Sequence, residues 1–361
     1  MSIFYIFSLP AKDKKIQKLN SLKPSILFKK IISSLLFHSG VVDKKIRQFC
    51  AKDFFIILMY HRVVPADKLI QVGMYVSPAT FESHLVFLKK YFNIITLNCL
   101  VEKNGLDRIV KNGKPLCILT FDDGWKDFYD YAFPLLVKYQ QPATIFLPTE
   151  FIGTRKQFWT DAFAYLLLHR QATALEKLSD PDILTIAEYL DSLRGSFDNQ
   201  LETGIEYLKG YPLSTIEKVL VGLSEIWHVD LDGQDRNFLN WAEIDEMIES
   251  GLISFGSHTV SHQILTTLDN LRIKKELIDS RKKLLKKNVF ANSCISFCYP
   301  NGNYTKEIAD MVRLTGYQLA VTTRKGWNHA DADKFTLKRI GIHEDMTSTT
   351  ALFACRVAGL I

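Results

Sequence analysis

An apolar run, Leu116-Cys117-Ile118-Leu119, stops at Thr120-Phe121-Asp122-Asp123-Gly124-Trp125. The run reads as a buried strand and Gly124 as the turn that ends it. Two adjacent carboxylates at a strand end repel one another, so a chain that keeps them there has a use for a cation or a proton. Taken alone, the same residues would also make a solvated Asp-Asp-Gly turn.

A second cluster, Gly256-Ser257-His258-Thr259-Val260-Ser261-His262, follows another apolar stretch, Leu252-Ile253-Ser254-Phe255. Histidines four apart fall on one side of a helical turn or a compact loop. Two neutral imidazoles and one carboxylate form a facial set that leaves metal positions open for water and substrate. Each cluster alone is ambiguous; together they point to a divalent cation beside a spare carboxylate.

Thr120-Phe121-Asp122-Asp123-Gly124 and His258-Thr259-Val260-Ser261-His262 resemble the first two motifs of the NodB-type polysaccharide deacetylases, carbohydrate esterase family four. Ile57-Leu58-Met59-Tyr60-His61-Arg62-Val63, Trp241-Ala242-Glu243-Ile244 and Phe297-Cys298-Tyr299-Pro300-Asn301-Gly302 extend the resemblance over residues 54 to 345, in the family's order. The resemblance implies an irregular (β/α)7-type barrel and a metal-dependent hydrolase that removes N-acetyl groups from a sugar or polysaccharide precursor. It makes Asp122 the catalytic base and Asp123, His258 and His262 the metal ligands. The loop at Tyr299 and Pro300 would bind substrate and the oxyanion.

The chain departs from the family pattern in its third motif. Many members carry an Arg-Pro-Pro-Tyr-Gly-like sequence whose arginine contacts the base; here the stretch is Cys298-Tyr299-Pro300-Asn301-Gly302, with no arginine. It is closer to the poly-N-acetylglucosamine deacetylase branch, in which a histidine on the first strand replaces a late one. His61, ending the run Phe54 to Met59, fits that place as general acid, and His343 in Ile340-Gly341-Ile342-His343 is the runner-up.

A chain of 361 residues is long enough for such a barrel, which needs about 250. The opening Met1 to Pro10 has no basic lead and no small-residue cleavage site, and no apolar run is long enough to span a membrane, so the expected location is cytoplasmic. The six cysteines sit mostly in apolar context and read as reduced core residues; Cys294 and Cys298 on a strand are too widely separated for a closed zinc site.

Charge is concentrated at one end. Residues 1 to 52 hold eleven Lys and Arg against two Asp, a net of +9, whereas the remainder of the chain is −3. Leu27-Phe28, Ile31-Ile32 and Leu35-Leu36 give this segment a helical apolar stripe, with Pro24 near its start and Gly40 near its end. Two surfaces suit residues 22–37: an anionic lipid face, as a peripheral contact on the inner membrane, and the outside of the barrel. No aromatic-basic stacking motif supports nucleic-acid binding.

Beyond residue 52, strands alternate with helices, as a parallel barrel requires. Three segments follow: a basic amphipathic N-terminal helix within 1–52, the barrel in 53–152 and 239–361, and a helical insertion at 153–238. The insertion, opening with Phe158-Trp159-Thr160-Asp161, is too apolar for a disordered loop and reads as a helical subdomain over the active face. The metal best suited to two imidazoles and a carboxylate is zinc, with cobalt and nickel fitting the same donors. The substrate expected is an N-acetylated glycan or a lipid-linked sugar. Two competing readings are a non-catalytic carbohydrate-binding scaffold and a deformylase-type hydrolase of a lipid-linked aminosugar.

Overall fold

The computed structural model describes residues 24–51, 53–65, 74–101, 113–171, 180–231, 235–289 and 295–361. Residues 22 and 23 of the N-terminal stripe, the segment before them and Cys294 lie outside the described residues. The chain forms two compact units, one of which contains Arg155–Asn237 and the other the barrel.

Seven parallel strands close the barrel: β1 (Phe54–Tyr60), β2 (Leu116–Phe121), β3 (Ala143–Leu147), β4 (Ile253–Ser257), β5 (Ser296–Cys298), β6 (Leu319–Lys325) and β7 (Leu337–Gly341). Each pairs with its neighbour in sequence, and β1 closes the ring by pairing with both β2 and β7. Every residue of β2 is buried, as a strand covered on both faces must be. Side chains alternate along a strand, so one parity fills the interior. Phe55 and Ile57 of β1, Leu116 and Ile118 of β2, Phe146, Cys298, Leu319, Val321 and Leu337 form that interior cluster. The same parity delivers His61 and Asp122, just past the ends of β1 and β2, and Arg339, within β7, to one mouth.

Outside the barrel, the helix Pro78–Tyr91 is started by Ser77, whose side chain accepts from Thr80 N–H, with proline at its first turn. The sequence suggests an extended stretch from Phe92 to Leu97, but only Asn93–Ile94 pairs as a strand, because a 3-10 turn begins at Leu97. Gly153 and Leu239, where the chain leaves and rejoins the barrel unit, are joined by a 2.8 Å backbone bond, and Leu239 N–H reaches Gly124 O.

The other unit is helical, with helices Trp159–His169, Pro181–Ser192, Phe197–Leu208 and Leu213–Ile226 around Phe163, Leu166, Leu190, Ile205, Leu223 and Trp227. Gly204 lets the Phe163 ring close on the helix backbone; a Cβ there would lie 2.5 Å from the ring. Trp159 packs against this helical core.

The N-terminal helix Pro24–His38 is followed, across Gly40 in the left-handed region, by a second helix, Val41–Cys50. The first packs on the C-terminal helix Thr350–Val357.

One buried histidine outside the mouth ties these layers together. His84 Nε2–H donates to Thr347 O at 2.9 Å, so Nδ1 is the acceptor for the Tyr60 hydroxyl at 3.2 Å, and the ring stacks on Phe353. Burial holds its pKa down at about 3, below its ordinary 6.5. The folded state thus refuses a proton that the unfolded chain accepts below about pH 6.5. Stability is expected to fall as pH drops from 6.5 toward 3, by up to about 1.4 kcal/mol per pH unit from this group. Urea unfolding of wild type and His84→Gln at pH 7 and pH 5 checks this: the variant should start less stable and decline less steeply.

Candidate metal centre and catalytic mouth

Asp122 and Asp123 are neighbours in sequence but face different partners. Asp122 N–H continues the ladder to Tyr60 O, so its side chain keeps the inward parity of β2. Asp123 then takes φ 73°, the left-handed region, which turns its carboxylate away from that of Asp122. Thr259, His262 and Asn301 also have positive φ, so strained backbone gathers at the loops around this mouth.

Asp123 Oδ1 lies 3.4 Å from His258 Nε2 and 3.2 Å from His262 Nε2. His258 Nδ1 donates to Cys298 O at 2.8 Å, which in the neutral ring leaves the Nε2 lone pair toward Asp123. A lone pair facing a carboxylate is unfavourable unless a cation lies between them. An ion with bonds of about 2.0–2.1 Å to N and O donors in tetrahedral geometry holds those donors roughly 3.3 Å apart, which is the spacing found. The donor set fits a divalent cation. Without a cation the contact is instead held by a proton: hydrogen bonding to the two rings outweighs burial and keeps the Asp123 carboxyl well below its usual range, and His258 is held well above its own.

The loop between the two histidines is fastened by Glu276, on the helix Asn270–Lys286. Its carboxylate accepts from Val260 N–H at 2.7 Å, Ser261 N–H at 3.0 Å and the Ser261 hydroxyl at 2.7 Å. Trp125 Nε1–H donates to Asp123 Oδ2 at 3.1 Å, and the Arg62 guanidinium lies over the Trp125 ring while pairing with Asp127.

Asp122 belongs to a different network. Arg339, fully buried on β7, donates from Nη1 to Asp122 Oδ1 at 2.6 Å and from Nη2 to Oδ2 at 2.7 Å. Its remaining donors reach Thr120 Oγ1, Thr322 O and Cys298 Sγ. Burial pushes the Asp122 pKa up, yet the guanidinium outweighs it and holds the carboxyl below its ordinary value. The arginine missing from the third motif is thus replaced from another strand. The sequence signal was a lone charged residue of inward parity between Leu337 and Gly341, and neither the motif comparison nor the apolar pattern singled it out.

His61 Nε2 lies 3.8 Å from Asp122 Oδ2, and its Nδ1 is buried without a hydrogen-bond partner. Burial lowers its pKa, against the pull of Asp122 and Asp123. His343 accepts Met74 N–H on Nδ1, and burial, with His61 adding to it, lowers its pKa to about 4. Tyr299 faces away from the mouth: its hydroxyl donates to Phe335 O and its N–H to Val321 O. Pro300 has no N–H. Both shape the loop in this conformation without offering a free donor. A Cβ on Gly302 would meet Thr323 N at 2.6 Å, so the loop requires glycine there.

Removing the guanidinium should cost stability and shift protonation together. Arg339→Met is expected to lose about 3–5 kcal/mol in denaturant unfolding, because a buried carboxylate is left unpaired. With the guanidinium gone, burial is opposed only by His61 and His258 and Asp122 moves up in pKa, so the acidic limb of the activity profile should shift to higher pH. Glu276→Ala removes the acceptor for both backbone N–H groups and should weaken divalent-cation binding about 10–100-fold in chelator competition.

A profile of the polysaccharide deacetylase family matches residues 109–183 and 216–320. A Bacillus subtilis protein described as a polysaccharide deacetylase, YxkH, is 24% identical over 296 residues, covering 81% of this chain and 73% of the relative. Among solved structures, the Streptococcus pyogenes deacetylase PplD in complex with acetate has a TM-score of 0.51 at 22% identity, covering 81% of this chain and 94% of that one. IcaB from Ammonifex degensii gives a TM-score of 0.50 at 18% identity, covering 84% and 97%. These structural likenesses show the barrel fold.

Proposed function

The chain belongs to the polysaccharide deacetylase family, a family of hydrolases acting on carbon–nitrogen bonds other than peptide bonds, and from that premise we propose that it removes acetyl groups from an N-acetylated glycan or a lipid-linked sugar precursor. The observation that carries this reading is the division of labour between adjacent carboxylates, Asp123 toward two imidazoles and Asp122 toward a guanidinium. Asp123, His258 and His262 would hold a divalent cation, zinc being the best match to one carboxylate and two imidazoles. When bound, such an ion supplies Lewis acidity toward a water and an acetamide carbonyl.

Asp122 has the properties of a general base. It is ionised at neutral pH, fixed by two bonds from Arg339, and turned toward the same mouth as the cation donors. His61 is the better placed of the two histidines for proton delivery to the departing amine, since it stands beside Asp122 with Nδ1 unengaged. His343 is spoken for by Met74 N–H and is neutral well below pH 7, which suits an orienting role.

Acetate release from an N-acetylglucosamine oligomer and from a lipid-linked N-acetyl sugar, with zinc added or chelated, tests the assignment. Chelation should abolish release. Asp122→Asn should lower turnover roughly 10²–10⁴-fold while still binding zinc, and His61→Ala should lose more turnover than His343→Ala. Full turnover in Asp122→Asn would remove Asp122 as base. Zinc binding without acetate release from either substrate would turn the reading to another C–N bond, such as a formamide.

A further inference from the structure

The helix Pro24–His38 sits on the barrel unit with part of its apolar stripe facing outward. Among its described side chains the one buried completely is Ser33, whose carbonyl accepts from Cys355 Sγ–H on the C-terminal helix, and Phe37 rests beside Phe87. Ile32, Leu36 and Phe37 are half-buried, but four large apolar side chains are exposed: Leu27 is 52% exposed, Phe28 63%, Ile31 52% and Leu35 67%. At about 100° per residue these four fall within an arc of roughly 100°, one continuous ridge about 12 Å long. An amphipathic helix whose only role is to cover a barrel would bury that ridge. Here the opposite face is fastened and the ridge is presented.

The charge around the ridge selects its partner. The +9 of residues 1–52 stands on an otherwise slightly acidic chain. Lys29 on the same helix and Lys44 and Arg47 on the helix Val41–Cys50 are exposed, and Val41 beside them is 39% exposed. A second copy docking through this ridge would bring two strongly basic segments together, which opposes self-association. By the same helical count Lys30 is the lysine nearest the ridge and Lys29 lies on the far face, and an apolar ridge on a segment of this net charge matches a bilayer with anionic headgroups. No helix among the described residues is long and apolar enough to cross a membrane, so the contact is peripheral.

We propose that Leu27, Phe28, Ile31 and Leu35 insert into the headgroup–acyl boundary of an anionic bilayer while basic residues of the helices Pro24–His38 and Val41–Cys50 engage its headgroups, docking the barrel on a lipid surface. The ridge residues are solvent-exposed and remote in sequence from the catalytic mouth, so replacing them tests docking without disturbing the fold.

Flotation of the full-length protein with vesicles of equal parts phosphatidylglycerol and phosphatidylcholine, and with phosphatidylcholine alone, is the test. Wild type should partition about tenfold or more in favour of the anionic vesicles, and less so as salt rises. The variant Leu27→Ser/Ile31→Ser/Leu35→Ser should lose at least about tenfold of that partitioning. It should keep the wild-type melting temperature and its turnover of a soluble N-acetylglucosamine oligomer. Failure of wild type to bind anionic vesicles would overturn the proposal. So would equal binding by the serine variant, which would move the contact elsewhere. Concentration-dependent dimerisation of wild type that the serine variant abolishes would assign the ridge to a second copy instead.

Discussion

The buried pair between Arg339 and Asp122 is the interaction on which the rest of the mouth depends. Taking a carboxylate out of water costs several kcal/mol, and two adjacent ones cost more. The bidentate guanidinium compensates one of them with geometry that also exhausts most of its own donors. Two buried carboxylates against one guanidinium leave a formal negative charge. That charge resides on Asp123, where His258 and His262 direct ring nitrogens at the same point. The arginine therefore does more than neutralise Asp122: it leaves the cation-attracting field on the Asp123 side alone.

Backbone geometry makes the separation possible. Period-two alternation alone would place Asp123 on the opposite face of the sheet, away from any interior ligand. The left-handed turn at Asp123, followed by Gly124 at φ 64°, brings it round to the histidines while Asp122 keeps the parity of the strand. A Cβ at Gly124 would approach Leu147 to 2.9 Å, so the residue after the two carboxylates must be small as well as permissive. The His258–His262 loop repeats the same solution, with positive φ at Thr259 and His262 and Glu276 restraining the amides between them.

Local patterns made much of this legible. The apolar runs at Phe54, Leu116, Ala143 and Ile253 all became barrel strands, because a strand buried on both faces has no freedom to be anything but apolar. The resemblance from the motifs gave the family and the fold. What stayed hidden depended on distance. Arg339 is 217 residues from Asp122, and only closure of β7 onto β1 brings it to β2's end. Glu276 looks like one more charge on an exposed helix until its carboxylate is seen facing a loop fifteen residues earlier. The N-terminal stripe was legible, but not its direction: the sequence named two surfaces it could meet, and Ser33 is buried and Ile32 and Leu36 half-buried while Leu27, Phe28, Ile31 and Leu35 stay exposed.

The relocated arginine follows from the symmetry of a barrel mouth. Inward positions at the ends of neighbouring strands converge on the same small volume, so a guanidinium rooted on β5 and one rooted on β7 can reach the same carboxylate. Cys298, which opens the stretch resembling the family's third motif, is small enough for Arg339 Nη2 to rest 3.2 Å from its sulfur, and its thiol reaches 3.5 Å from Asp122 Oδ2. The missing third-motif arginine therefore does not argue for a binder that has lost its chemistry. Asp122 keeps a guanidinium partner, delivered from β7, two strands round the ring from β5.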